Sequence, residues 1–321
     1  MARKRKGDQV DGWIAVDKPV GLTSTQVVAI VRRAFNAAKA GHGGTLDPLA
    51  TGILPVALGE ATKTVPYVMD GSKTYRWRVR WGEQRSTDDL EGEVVATSDV
   101  RPSREQIEAV LPRFTGAIEQ VPPAFSAIKV DGERAYDLAR AGEAVALKSR
   151  VVQIERQTLL DMPDSDHADF ETRAGKGTYI RSLARDIALA LGTVGSIALL
   201  RRTACGPFNE QNAISLDMLR EVGHSPPPRT YLLPVETALD DIPALALTEA
   251  EARRLQSGQQ LSLLRLSARF PQVPFTQDMV LRAMDGRRLV ALVRVDGGEI
   301  RPVRVMNLKH PDMEKTDVDH R

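Results

Sequence analysis

Asp47 stands directly before Pro48 in a twelve-residue stretch, Gly41-His42-Gly43-Gly44-Thr45-Leu46-Asp47-Pro48-Leu49-Ala50-Thr51-Gly52, that breaks all hydrophobic periodicity. A residue before proline is driven towards extended geometry, so this carboxylate is presented on a stiffened backbone. Closely spaced glycines let that backbone lie against a ligand without side-chain obstruction. Two chemistries fit the types. A carboxylate so placed can act as a covalent nucleophile, or it can cap a turn, as Asp-Pro pairs often do. Spacing alone favours the turn. Two nucleotide-binding readings fail: Leu46 stands where a dinucleotide fingerprint needs its third glycine, and no Gly-Lys-Ser/Thr follows to make a phosphate loop.

The elements around this loop follow from pattern. Gly12 to Val16 is strand-like, and Thr23 to Phe35 reads as an amphipathic helix with a capping box between Thr23 and Gln26. Gly41 to Pro55, with four glycines and two prolines, reads as an irregular loop. Thr74 to Trp81 alternates Tyr75, Trp77, Val79 and Trp81 with Arg76, Arg78 and Arg80, which gives a strand with an aromatic face and an arginine face. That arginine face, with Arg201-Arg202, is either solvated or set against RNA phosphates, where cations gain from counterion release. Ser103 to Phe114 and Thr178 to Leu191 are helical, the second with Thr178 as N-cap and Gly192 closing it. Arg181 then falls in a first turn, where a cation opposes the helix dipole. Within Gln120 to Val151 the segment Arg134 to Arg140 reads as helical, and a boundary falls near Gly223 to Pro228 or just after Pro243. Beyond it a helix over Thr248 to Leu255 and strands at Met279 to Met284, Leu289 to Val295 and Ile300 to Met306 make a small β-rich module.

Composition bounds the class. The 321 residues are 42% hydrophobic and 27% charged, within the globular range, and the length fits about two domains. No apolar run reaches the ~18 residues of a membrane span. Cys205 is the single cysteine, which excludes an intramolecular disulfide framework, and five scattered histidines do not make a structural zinc site. A net charge of +2 is too mild to identify a nucleic-acid partner.

The Gly41 to Gly52 stretch closely resembles the active-site segment of bacterial tRNA pseudouridine-55 synthases of the TruB type. Further motifs resemble that family in its order: Asp17-Lys18-Pro19, Gly59-Glu60-Ala61-Thr62-Lys63, Pro122-Pro123-Ala124-Phe125-Ser126-Ala127-Ile128-Lys129, Lys176-Gly177-Thr178-Tyr179-Ile180-Arg181-Ser182 and Leu199-Leu200-Arg201-Arg202-Thr203. Gly43 departs from it, standing where some members carry threonine.

The resemblance implies an α+β fold: a catalytic domain with a mixed, mainly antiparallel sheet and flanking helices, and a small PUA-like RNA-binding domain. Its layout is a disordered basic arm over 1–11, a catalytic domain over 12–243 with an RNA-gripping insertion at about 120–151, the appended domain at 244–308 and a polar tail at 309–321. It implies isomerisation of uridine-55 in the T loop of tRNA, with Asp47 as nucleophile and Arg181 pairing with it. His42 would fill the space left by a flipped base, and Tyr75, Tyr179 and Leu200 would line the uracil pocket. Without the resemblance, His42 reads as a polar loop histidine, and Tyr75, Tyr179 and Leu200 as packing residues. The reaction needs no cofactor and no metal. The expected partner is the tRNA T-stem loop, with no membrane and no obligate protein partner, for a cytoplasmic monomer. Two rivals differ in class: a tRNA-binding or folding protein that has lost the chemistry, disfavoured by Asp47 with Tyr75, Tyr179 and Arg181, and a small-molecule nucleoside hydrolase, for which the insertion and the appended module are surplus.

Overall fold

A computed structural model describes residues 7–126, 129–130, 133–134, 147–221 and 229–308. Its architecture is α+β, built on two sheets. The larger runs, from one edge, Ala213–Ser215, Gly12–Lys18, Thr51–Leu58, Gly195–Cys205, Lys73–Trp81, His167–Ala174, Arg150–Asp164 and Gly116–Gln120. Neighbours pair antiparallel except at two places, Gly12–Lys18 with Ala213–Ser215, and Thr51–Leu58 with Gly195–Cys205.

The Lys73–Trp81 strand shows why the sheet has two unlike faces. Trp77, Val79 and Trp81 are buried, with Trp77 stacked on Phe170 at 4.4 Å between ring centroids and Trp81 edge-on to it. Against this face packs the helix Ile180–Ala190, whose Ile180, Leu183, Ala184 and Ile187 are all buried. Each such side chain contributes about 1.5–3 kcal/mol by leaving water, so the helix is fixed by its apolar stripe. Its N-cap is Tyr179, without a side-chain cap bond; Thr178 Oγ1 donates instead to the Gly175 carbonyl, so the expected Thr178 cap is not formed. The helix Ser24–Ala34 does carry the Thr23/Gln26 capping box, and its Val27 and Val31 face Leu46, Ala50 and Leu54.

The stretch to Pro55 is less irregular than its prolines and glycines indicate. Ala40–His42 and Thr51–Leu58 are strands, and only residues 43–50 are loop. Ile53, Leu54, Val56, Ala57 and Leu58 are buried on both sides of the sheet, so the strand is a continuous apolar run without the alternation that marks a half-exposed one. Gly52 has φ +99 and lies so close to its parallel neighbour that an added Cβ would sit 2.1 Å from the Arg202 carbonyl oxygen.

The smaller sheet is ordered Ala244–Ala246, Val280–Asp285, Arg288–Asp296, Glu299–Val305, Leu261–Ser262, with helices Glu249–Gln256 and Leu263–Arg269. It is fused to the larger sheet: Leu289, Leu292 and Met306 share one buried cluster with Trp13, Ile53, Ala57 and Phe208. Polar contacts from the 59–63 motif seal the joint, with Lys63 Nζ donating to Val305 O at 2.8 Å and Asn307 N to Glu60 Oε2 at 2.6 Å.

Residues 7–11 are packed, unlike the disordered arm expected over 1–11. Asp8 exchanges backbone bonds with Asn36 and Ala38, at 2.7 and 2.9 Å, and Gln9 donates to Asn307 O. Residues 1–6, the tail 309–321 and the Gly223 to Pro228 boundary (save its neighbours) lie outside the described residues. Within the 120–151 insertion, Lys129–Val130 pairs antiparallel with Glu133–Arg134, and the helix expected over Arg134 to Arg140 lies, beyond Arg134, outside the described residues.

Candidate active site

Loop 43–50 is held by its backbone, and the Asp47 side chain stays partly exposed beside Arg181. Lys18 is fully buried and its ammonium donates to the carbonyls of Pro19, Leu22 and Pro48, at 2.9, 2.7 and 3.1 Å. Ser24 Oγ accepts from Leu46 N at 2.8 Å. Arg202 donates from Nη2 to Gly44 O at 3.0 Å, from Nη1 to Thr45 O at 3.3 Å and from Nε to Ile53 O at 2.7 Å. Asp47 therefore sits between fixed points at 44, 45, 46 and 48, presented as the Asp-Pro pair leads one to expect.

Arg181 closes the site from the Ile180–Ala190 helix. Its Nε lies 3.0 Å from Asp47 Oδ2, an ion pair that falls short of a well-aligned hydrogen bond, with side chains 6% and 39% exposed. The contact with Asp47 is made through this one nitrogen. Nη1 donates to Thr87 O and Nη2 to Phe125 O, both at 2.9 Å, and Nη1 lies 3.7 Å from Asp89 Oδ2. The fork thus spends most of its donors on two backbone segments and holds the carboxylate by one edge. These contacts also resolve why a cation occupies a first helical turn: buried carbonyls and carboxylates outweigh a dipole cost of ~0.3–1 kcal/mol.

Burial raises the Asp47 pKa above the ordinary carboxylate range; the Arg181 guanidinium opposes that, and Asp89 adds to it. Burial likewise pushes the Lys18 ammonium down to about 8, with Asp47 opposing. Asp89 stands beside Arg181, and Asp88 precedes Asp89 in the chain: Asp88 pairs with Arg185 at 2.9 Å, and Asp89 Oδ1 accepts from Thr87 Oγ1 at 2.5 Å.

The remaining candidates fall around the same loop and helix. His42 ends the Ala40–His42 strand, and its Nδ1 accepts from Gly44 N at 3.4 Å; burial, then Arg202, lower its pKa, so the ring is neutral near pH 7. Tyr75 lies beside Arg202 in the sheet register, and burial raises its phenol pKa, with Arg202 opposing most and Asp47 adding slightly. Leu200 pairs with Trp77 and touches both the Trp77 and the Leu46 clusters. Tyr179 is two residues from Arg181; its backbone N and O exchange bonds with the Gln120 amide at 2.8 and 3.1 Å, and the Arg150 guanidinium stacks 5.0 Å over its ring. Among contacts of the described residues, the one joining two candidates directly is Asp47 with Arg181.

Three functions of residues were not visible in the sequence. Lys18, Asp89 and Arg202 belong to the site, through pairings between segments 30 to 158 residues apart. The arginine face, conversely, lies on the opposite side of the sheet and is neutralised. Arg78 makes two bonds to Asp169 at 2.6 and 2.7 Å, Arg76 pairs with Glu171, Arg80 with Glu83, and Arg201 with Asp17 and Glu210. With Arg202 buried against carbonyls, the phosphate reading of these arginines loses its cations. The Gly43 departure also has a partner: an added Cβ there would meet Val68 Cγ1 at 2.6 Å, so Val68 occupies the space a larger residue would need.

Comparison with known proteins agrees with this geometry. The model of the TruB family pseudouridylate synthase N-terminal domain matches residues 32–180, and that of the tRNA pseudouridylate synthase B C-terminal domain matches 181–240. The tRNA pseudouridine synthase B of Rhodospirillum rubrum is 59% identical over 308 residues, covering 96% of this chain and all of the relative. That of Caulobacter vibrioides is 55% identical over 313 residues, with the same coverage. Among solved structures, Cbf5 in a complex with Nop10 and Gar1 superposes with a TM-score of 0.70 at 27% identity, over 92% of this chain and 84% of that one.

Proposed function

From the premise that the chain belongs to the TruB family of pseudouridylate synthases, we propose that it isomerises uridine-55 in the T loop of tRNA to pseudouridine, with Asp47 as nucleophile. The enzyme is an isomerase acting on tRNA uridine. The N1–C1′ bond breaks, the uracil turns, and C1′ joins C5; the C5 proton leaves and N1 gains one, so nothing is oxidised and nothing added. The observation that carries the reading is the 3.0 Å ion pair between Asp47 and Arg181, on a helix whose apolar core also packs Tyr75 and Leu200.

Each residue's role follows from its surroundings. Asp47 is the carboxylate of the loop, its backbone neighbours are fixed on both sides and its side chain is partly exposed, the arrangement a nucleophile needs. Attack at C1′, attack at C6 and abstraction leading to a glycal all use that same carboxylate. Arg181 keeps it ionised and aimed from the helix. A base stacked in folded RNA must be extruded to be reached; a neutral His42 beside the loop fits the vacated space, and Tyr75, Tyr179 and Leu200 wall the uracil. The 244–308 unit serves as a PUA-like RNA-binding domain that adds affinity, and the protein works as a cytoplasmic monomer without a protein partner.

The test is incubation with unmodified tRNA transcript and mapping of pseudouridine. Modification confined to position 55 is expected, and Asp47→Asn should abolish it, by at least ~10³-fold, while tRNA affinity stays near normal because binding is spread over many contacts. Substantial turnover by Asp47→Asn would remove the assignment.

A further inference from the structure

Arg202 is 1% exposed, and it is one of the largest fully buried side chains in the molecule. A guanidinium without water is costly unless a carboxylate or a complete set of acceptors compensates it. No described carboxylate pairs with it; its partners are three neutral carbonyls from two separate segments, Gly44 and Thr45 in the catalytic loop and Ile53 in the next strand, with the Tyr75 phenol beside it. Its own backbone is pressed against Gly52, where no side chain fits. A bland hydrophobe would fill the same space more cheaply. The placement gains meaning from what it fixes: the two carbonyls lie two and three residues before Asp47, and the other fixed points, Ser24 at Leu46 and Lys18 at Pro48, complete the frame.

We propose that Arg202 is a positioning residue for the reaction, a buried fork that holds the Gly44–Thr45 backbone against the Thr51–Leu58 strand so that Asp47 stays in reach of Arg181 and the substrate. This rests on Asp47 being the nucleophile. The planar fork matters because it spans two segments with fixed angles, whereas a lysine ammonium on a flexible stem satisfies carbonyls without fixing their mutual orientation. Misplacing a reacting group by about 1 Å costs on the order of 10²-fold in rate.

Arg202→Met, Arg202→Lys and Asp47→Asn are compared in the full-length protein for single-turnover rate at saturating tRNA, tRNA Kd, and amide exchange of peptides covering residues 43–50. Arg202→Met is expected to lose about 10²-fold in rate and Arg202→Lys about 10-fold, with Kd within about threefold and faster exchange confined to the loop. A merely structural arginine would lower melting temperature and leave the rate of the folded fraction unchanged. Wild-type rate in folded Arg202→Met overturns the proposal, as does a rate loss with unchanged loop exchange. Failure of both Arg202 variants to fold also overturns it, making the residue a folding determinant. An active Asp47→Asn would remove the nucleophile instead, and the loop-exchange result would stand apart from it.

Discussion

The two faces of the larger sheet carry arginines to opposite ends. On the face with Tyr75 and Trp77, Arg181 and Arg202 are buried, and their donors meet backbone carbonyls around Asp47. On the other face, Arg76, Arg78, Arg80 and Arg201 stay partly exposed and each meets a carboxylate. Buried cations without full counter-charge are expensive and persist where they orient something; exposed pairs contribute ~0–1 kcal/mol each. The difference teaches that arginine number and clustering say little about function here, and that the partner's identity and burial say much. The second face is not uniform. The sheet register puts Trp13 and Ala15 on the same side as Asp17, and there the surface is apolar and covered by Leu289, Leu292 and Met306 of the smaller sheet. The near face carries the proposed site; the far face is occupied by ion pairs and packing.

The sharpest way to break this contrast is Arg181. Arg181→Met and Arg181→Lys should each lose ~10²–10³-fold in single-turnover rate with much smaller change in tRNA affinity, because an ammonium cannot satisfy Thr87 O, Phe125 O and Asp47 from one point. A pH dependence accompanies it. As the proposed nucleophile Asp47 must be ionised, and its folded pKa is raised by burial against the pull of Arg181. Activity is therefore present above that pKa and lost as pH falls through it. Arg181→Met removes the opposing cation, so the acid limb of its residual rate should move to higher pH. Near-wild-type rates in Arg181→Met would make this buried arginine no different from those of the far face.

Removing residues after Pro243 tests the covered end of the far face. Leu289, Leu292 and Met306 each contribute about 1.5–3 kcal/mol to a cluster shared with Trp13 and Phe208. At 2–4 °C per kcal/mol, the truncated protein is expected to melt at least ~10 °C lower than the full chain, while its folded fraction keeps its rate at saturating tRNA. An unchanged melting temperature, read by calorimetry, would show that the two sheets are energetically separate.

Lys18 allows a finer test, because activity and stability should respond to pH with opposite signs. Its ammonium offers three donors to three carbonyls and titrates at about 8 in the folded protein. On losing a proton it leaves one carbonyl unpaired, so loop order and rate should decline as pH rises through about 8. Stability should do the reverse: from about 8 to the ordinary lysine pKa near ~10.4 the unfolded chain binds the proton and the folded one does not, so unfolding free energy rises with pH. A Lys18→Met protein should lose both trends. Parallel rate and denaturation profiles that fall together above pH 8 would remove Lys18 as the cause.

Much of the fold was legible in the chain because local pattern determined it. Thr23 to Phe35, Thr74 to Trp81 and the strands after Met279 formed as their periodicity indicated. The Thr51–Leu58 strand was hidden because burial on both faces erases alternation, and Pro55 within it reads as a breaker. At the site, motif resemblance led to Asp47 and Arg181, which the structure brings together. Lys18, Asp89 and Arg202 were hidden for a different reason: each acts through a carbonyl or carboxylate brought near by sheet register, and a carbonyl has no residue type to read. The exposed arginines stayed undecided in the sequence for the same cause, since Asp169 and Glu171 face Arg78 and Arg76 only through antiparallel pairing.

That pairing supports the smallest expected effect. Arg78 is held by Asp169 through two bonds, so its charge is already compensated before any RNA arrives. A phosphate would have to displace a carboxylate of similar geometry at no net gain in charge pairing, and a cation released from the phosphate would be matched by one taken up by the freed Asp169. Arg78→Gln is therefore expected to leave tRNA Kd within about twofold and the slope of log K against log salt unchanged. The loss in stability should be ~1 kcal/mol or less, since the pair is about one-third exposed and screened. Asp169→Asn sharpens the test. It frees the Arg78 cation while keeping its neighbour's shape, so if the far face can meet RNA at all, that variant should bind tRNA more tightly at low salt and with a steeper slope. A flattened slope in Arg78→Gln itself would mean that RNA reaches the far side of the sheet, and the division between a chemical face and a structural one would fail.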